Sequence, residues 1–228
     1  LLSDVIERAT GESYGAHLER VFFKPLGMGN TTLDTGRSVV PGLAQGYDGA
    51  AALPRWRDHS VIFAAGGLIS TADDLLTWTH ALHAGKVVSP AALAQMLGRD
   101  TAAGPFSVRQ RRGAGLLYGY GLIRGPAGLL VEPGFADEEV YHTGSWAGFR
   151  NIVAHAPGAG VTVVVLSNRI DQADAVLLAS QKLMAAALGR PSPERLAPRQ
   201  EGDGEVSGLP EAAGAQAAGS AAGPAAAP

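Results

Sequence analysis

The chain has 228 residues, 46% of them hydrophobic and 17% charged, with a formal net charge of −3 and no cysteine. That length and apolar share suffice for one domain with a buried core. The missing cysteines exclude disulfides, thiolate metal sites and a cysteine nucleophile while leaving the compartment open. The charge balance gives no electrostatic reason to bind nucleic acid or anionic lipid.

In chain order, the first residues already repeat with helical period: Leu1, Leu2, Val5, Ile6 and Ala9 share a face, and Gly11 follows as a stop. The chain opens in mid-pattern, with neither an initiator Met nor a signal-peptide pattern, so its boundary is expected to cut through an element. From Ser13 the helical pattern resumes through Tyr14, Leu18, Val21 and Phe22, and Pro25 is expected to end it. Residues 27–60 carry no sustained period and read as a long, functional loop region.

Ser70 and Asp73 have capping-box spacing before a helix that buries Leu75, Trp78, Thr79 and Leu82 up to Gly85. His80 and His83 lie three apart on it with no further ligand near in sequence, so no metal site is expected. The pair Asp73 and Asp74 reads as helix-start charge rather than as an acid–base dyad. Ser89 as N-cap and Pro90 behind it open another helix, burying Leu93, Met96 and Leu97. The basic cluster Arg109, Arg111 and Arg112 stands beside glycine and reads as a solvated loop.

After about residue 115 the period changes. Tyr118–Ile123, Leu129–Glu132, Val140–Thr143, Phe149–His155 and Val161–Ser167 are short runs broken by Gly and Pro. Connections such as Pro157-Gly158-Ala159-Gly160 are too short for helical crossovers, so the sheet should be antiparallel. No apolar run reaches membrane-span length. A last helix is expected over 171–188, with Val176, Leu177, Ser180, Leu183, Met184 and Ala187 on its apolar side. Residues 190–228, rich in Ala, Gly and Pro, are expected to be a disordered tail, so that 1–189 forms the folded part.

The segment Glu139-Val140-Tyr141-His142-Thr143-Gly144-Ser145-Trp146-Ala147-Gly148-Phe149 carries the chemistry. It places a hydroxyl, a glycine and an imidazole at a strand end, where backbone N–H groups can face a ligand; taken alone, it reads first as a tight hairpin with an incidental His. Other segments stand in order around it: Lys24-Pro25-Leu26-Gly27-Met28-Gly29-Asn30-Thr31, Ala64 to Leu75, Tyr118-Gly119-Tyr120-Gly121, and Val164-Val165-Leu166-Ser167-Asn168. Taken together, this series resembles the β-lactamase-related serine hydrolases, which include class C β-lactamases, penicillin-binding proteins and family esterases. The resemblance spans about residues 1 to 188.

The resemblance implies an α+β fold, an antiparallel sheet with flanking helices of the β-lactamase/transpeptidase type, incomplete at its N-terminus. It also implies hydrolysis of an ester, amide or β-lactam through an acyl-enzyme, with no cofactor and no metal. The family's Ser-x-x-Lys and Tyr-x-Asn motifs supply nucleophile and proton transfer. Neither occurs here, because no Ser is followed three residues later by Lys and no Tyr two residues later by Asn. Both are expected just upstream of Leu1, leaving the fragment inactive alone; the alternative is a non-catalytic binding or regulatory homologue.

By the same resemblance, the backbone N–H of Ser145 is one oxyanion-hole donor, a kind of group whose removal costs about a hundredfold or more in rate. His142, Thr143 and Gly144 line the pocket. Trp146 and Tyr120 join them as substrate-binding candidates, although packing is the more usual role for such aromatics. His142 stands where the family commonly has Lys. An imidazole, with an ordinary pKa of ~6.5, is mostly neutral at pH 7 and offers no permanent cation to a carboxylate. Esters and uncharged amides are therefore the expected substrates, ahead of carboxylate-bearing lactams.

Overall fold

The computed structural model describes residues 2–36, 39–54, 62–98, 106–107, 116–126 and 128–198. The basic cluster at 109–112 and the tail beyond 198 lie outside the described residues.

Helix α1, Leu2–Thr10, stops at Gly11, whose φ of +72° reverses the chain. Its apolar face is not inside: Leu2 is 75% and Val5 56% exposed, and Ser3 is the buried residue. The period reports which residues share a face; among the described residues that face stays open. Helix α2, Tyr14–Leu18, is capped by Ser13, whose hydroxyl accepts from the Ala16 N–H at 3.4 Å. It continues through a π-helical turn, Glu19–Phe23, into α3, Lys24–Leu26. Pro25 thus does not end the helix. The π turn shifts the hydrogen-bond ladder, and Pro25 falls in the first turn of the α segment that follows, where its missing N–H is not needed.

The region after Gly27 is mostly loop with short pairings. β1, Thr32–Leu33, pairs with β4, Leu68–Ile69, while β2, Tyr47–Asp48, and β3, Ala51–Ala52, form a small hairpin. α4 covers Phe63–Gly66. α5, Ala72–His83, starts one residue later than the spacing suggested: its cap is Thr71, whose Oγ1 accepts from the Asp74 N–H at 3.3 Å. The Ser70 hydroxyl instead meets Thr31 Oγ1 at 2.8 Å. α6, Pro90–Met96, is capped by Ser89 as its sequence indicates.

The main sheet has the strand order β11-β10-β9-β7-β6-β5, every neighbouring pair antiparallel. β5 is Phe106–Ser107, β6 Leu117–Tyr118, β7 Ile123–Pro126, β9 Glu138–Trp146, β10 Phe149–Ala156 and β11 Val161–Ser167. The run Tyr118–Ile123 is not one strand but the turn between β6 and β7. Gly121 takes φ +74° and the Gly119 N–H reaches the Leu122 carbonyl at 2.8 Å, so the glycines reverse the chain. Likewise Leu129–Glu132 does not join the main sheet. Its end, β8 (Val131–Glu132), pairs with β12, Arg195–Leu196.

Helix α7, Ala173–Ala187, covers one sheet face and packs Val176 and Met184 on Ile152, Ala154, Ala156 and Val163. His155, between two of these strand residues, points the other way by strand alternation and meets His83 and His80 of α5, so the sheet lies between α5 and α7. The buried stripe of α7 is Val176, Ser180, Gln181, Met184 and Ala185, while Leu183 is 52% exposed. Gln181 replaces the expected Leu183 and Ala187 because its amide has a buried carboxylate to serve, as described below.

Ordered chain continues past 189. Arg190 holds Asp137 through two hydrogen bonds of 2.8 and 2.9 Å, Arg195 holds Glu132, and Pro193 is fully buried. Residues 190–198, on the tail side of the boundary set from composition, are thus in contact with the rest of the chain. A few side chains anchor a stretch whose average composition carries no such signal.

Candidate active site

Among the described residues, β9 carries ladders on both edges only along part of its length. Its ladder with β10 runs from Val140 to Trp146, whereas its ladder with β7 runs from Glu138 and stops at Tyr141, opposite Ile123. Among the described residues, the ladder on the β7 side thus ends before His142, while the ladder with β10 continues to Trp146. The stretch His142-Thr143-Gly144-Ser145-Trp146 singled out in the sequence is this end of β9. His142, Thr143, Gly144, Ser145 and Trp146 are all half-buried.

A two-residue turn closes β9 onto β10. Ala147 has φ +50° and Gly148 φ +90°, the positive pair that matches the twist of a tight hairpin. Backbone from the 27–60 region presses on this tip: a Cβ on Gly46 would overlap the Ala147 carbonyl oxygen. Tyr47 donates its N–H to Asn168 O at 2.9 Å, Ile170 donates to Tyr47 O at 3.0 Å, and the Asn168 amide donates to Gln45 O at 2.8 Å. The long loop is thus fastened to the end of the sheet where the β9–β10 hairpin lies.

His142 is held at both ring nitrogens. Nδ1 lies 2.6 Å from the Thr143 carbonyl oxygen, and Nε2 lies 3.3 Å from the Tyr118 hydroxyl. The two rings meet edge to face with centroids 5.9 Å apart. The structure thus brings Tyr118, not Tyr120, to His142. Tyr120 is 55% exposed on the β6–β7 turn, its N–H bonded to Met96 O.

Sequence reasoning passed over Glu139, three residues before His142. It is 2% exposed. Its carboxylate accepts from Gln181 Nε2 at 3.0 and 3.1 Å, and Gln181 Oε1 accepts from the Gly128 N–H at 2.8 Å. Burial pushes the Glu139 carboxyl up to about 7, against a smaller lowering by the Gln181 hydrogen bond. With Leu116, Tyr141 and Ile152 it lines a cavity of about 10 Å³ on the α7 side, room for a single water. The available signal was the parity that Glu139 shares with core residue Tyr141 on β9.

The third histidine for His80 and His83 comes from distant sequence. His155 stacks on His83 with centroids 4.1 Å apart and lies 6.5 Å from His80, its Nδ1 2.8 Å from Thr162 Oγ1. Burial, then His83 and His80, pull His155 down to about 4. Among the described residues no group of His, Asp or Glu is arranged to hold a metal ion, and no described helix is long and apolar enough to cross a membrane.

A family model described as "Beta-lactamase" matches residues 1–187. The D-aminopeptidase of Gluconobacter oxydans (strain 621H) is 29% identical over 198 residues, 86% of this chain and 34% of that protein. The structure of a D-stereospecific amidohydrolase from Streptomyces sp. superposes with a TM-score of 0.63 at 26% identity, covering 81% of this chain and 51% of that one. A class C β-lactamase from Rhodobacter sphaeroides shares the fold at a TM-score of 0.58 and 22% identity, over 81% of this chain and 58% of its own. The chain thus spans about a third of the curated relative and somewhat over half of these solved structures. With the family match running from residue 1 to 187, the chain belongs to the β-lactamase family.

Proposed function

We propose that this chain forms one wall of the acyl-transfer site of a serine hydrolase that cleaves a small ester, amide or β-lactam. The observation that carries the reading is the half-buried end of β9 from His142 to Trp146, which runs on beside β10 past the last pair of the described β7 ladder. In the proposed site the Ser145 N–H donates to the oxyanion that forms as the carbonyl is attacked. Thr143 and Gly144 border the substrate, with Trp146 beside them at the hairpin and Tyr120 at the rim. The nucleophilic serine and its Lys and Tyr partners come from polypeptide outside these 228 residues, since neither motif occurs within them.

His142 favours esters and uncharged amides over carboxylate-bearing lactams. The names of the D-aminopeptidase and the D-stereospecific amidohydrolase support amides of D-amino acids as the first class to try.

The chain alone should form no covalent adduct with a fluorophosphonate or a fluorescent penicillin. The same residues, joined to a family N-terminal portion that carries Ser-x-x-Lys and Tyr-x-Asn, should label stoichiometrically and turn over p-nitrophenyl esters or D-amino acid amides. Stoichiometric serine labelling of the chain by itself, or a correctly folded joined protein inert to every probe, would overturn the reading.

A further inference from the structure

We propose that Gln45, Gly46 and Tyr47 form a positioning strap, which grips the turn of the β9–β10 hairpin and through it aims the Ser145 N–H. This deepens, and rests on, the reading of Ser145 as an oxyanion donor.

Trp146 and Phe149 stand directly opposite each other and flank the two-residue turn. In a turn of this kind the flanking pair makes the closing hydrogen bonds. Antiparallel pairs alternate, so the next pair, Ser145 with Arg150, exchanges none, and the Ser145 N–H turns away from β10. The Thr143 carbonyl, two residues back, turns the same way and meets His142 Nδ1 at 2.6 Å. Two residues forward lies Ala147, the one non-glycine residue with positive φ among the described residues. A side chain is kept in that conformation by what surrounds it.

The strap supplies the hold. Gly46 lies so close to the turn that an added Cβ would overlap the Ala147 carbonyl oxygen, and a Cβ on Gly148 would overlap Gly46 and the Tyr47 nitrogen. Gly46 is outside the left-handed region, so its need for glycine comes from this approach alone. The Tyr47 N–H is shared between Gly148 O at 3.3 Å and Asn168 O at 2.9 Å, which joins the turn to the end of β11. The strap is itself closed by the Gln45 amide, which donates to Gly46 O and to Leu53 O, each at 2.8 Å. A turn pushed off Gly46 carries Ser145 and Trp146 with it, because the β9–β10 ladder runs unbroken into the turn. A misaimed donor weakens the bond to the oxyanion more than any bond to the bound substrate.

Amide spectra of the ¹⁵N-labelled chain read the aim directly. Gly46→Ala should displace the Ser145 and Trp146 signals. Gly29→Ala, in the same loop region but with nothing within 4 Å of the added Cβ, should leave them in place. Should Gly46→Ala fail to fold, Gln45→Ala, which loosens the strap without crowding the turn, takes its place with a smaller shift of the same signals. In the joined hydrolase, Gly46→Ala should lower kcat for a p-nitrophenyl ester by about tenfold or more, with KM within about twofold of wild type. Ser145 signals unmoved in a folded strap variant, or a KM rise with kcat unchanged, would overturn the proposal. A joined wild type inert to every ester would fail the hydrolase reading instead, and the amide spectra would still decide whether the strap sets Ser145.

Discussion

Glu139 shows how one side chain couples the fold to pH. In the unfolded chain its carboxyl ionises near its ordinary 4.5, whereas in the native core it holds its proton up to about 7. As pH rises from 4.5 to 7 the unfolded state loses a proton that the native state keeps, so native stability falls across that window and stays lower above it. The drop is about 3 kcal/mol at most. His155 acts with the opposite sign. Its native value, about 4, lies below the ordinary 6.5, so the stability it contributes is present above 6.5 and is lost as pH falls toward 4.

The two slopes oppose each other where they overlap, and single variants should separate them. Urea unfolding between pH 4 and 8 should show Glu139→Gln gaining stability over wild type toward pH 8, and His155→Gln gaining toward pH 4. Parallel pH profiles for wild type and Glu139→Gln would show that the carboxyl does not titrate as described. Neither residue was legible beforehand. Glu139 needs its partner Gln181, which hydrophobic periodicity leaves out of the α7 stripe, and His155 needs α5 folded onto the opposite sheet face.

At the scale of elements, the ordered motifs prove to be joints. Asp74, read from sequence as helix-start charge beside Asp73, is buried, and its carboxylate accepts from the Asn30 N–H at 2.9 Å and from the Thr31 hydroxyl at 2.8 Å. It ties the turn after α3 to the first turn of α5, while Asp73 is exposed. The cap moves to Thr71 because Ser70 is spent on Thr31. Asp74→Ala strands two donors in a half-buried joint and should lower stability by about 2–3 kcal/mol. Asp73→Ala, one residue away, should stay within about 0.5 kcal/mol. Equal losses in chemical denaturation would return both residues to a shared dipole role.

Long elements such as α7, β10 and β11 were legible because burial gives them a period over many residues. The β6–β7 turn, β8 and the π turn at Glu19–Phe23 were not, since glycine geometry and packing decide them and leave no repeat to read. The candidate site divides in the same way. Its strand was visible as a motif, but the place where the described β7 ladder ends on β9 was not, and Tyr118 reaches His142 only once β6 lies in the sheet.

At the scale of the whole molecule, the sheet ends at β11. Its seven residues, Val161–Ser167, have β10 on one side and no ladder on the other among the described residues, with Leu166 42% exposed. Such an apolar edge invites pairing with another chain. The C-terminal end is managed differently, because residues 190–198 cover β8. Their removal would uncover Val131, now 2% exposed, and delete the buried Pro193, the β8–β12 pairing and the ion pairs of Arg190 with Asp137 and Arg195 with Glu132. The exposed ion pairs contribute little, so the loss is mainly apolar burial, about 2–4 kcal/mol in all.

A chain cut after Gly189 should therefore melt roughly 5–12 °C below the full chain. A chain cut after Pro198 should melt within about 2 °C of it, because the Ala-, Gly- and Pro-rich remainder has little apolar surface to bury. If both truncations melt alike and near the full chain, β12 contributes nothing and the folded unit ends at 189 as composition alone suggests. If both fall together, residues beyond 198 hold the fold, and composition is the wrong guide to that segment.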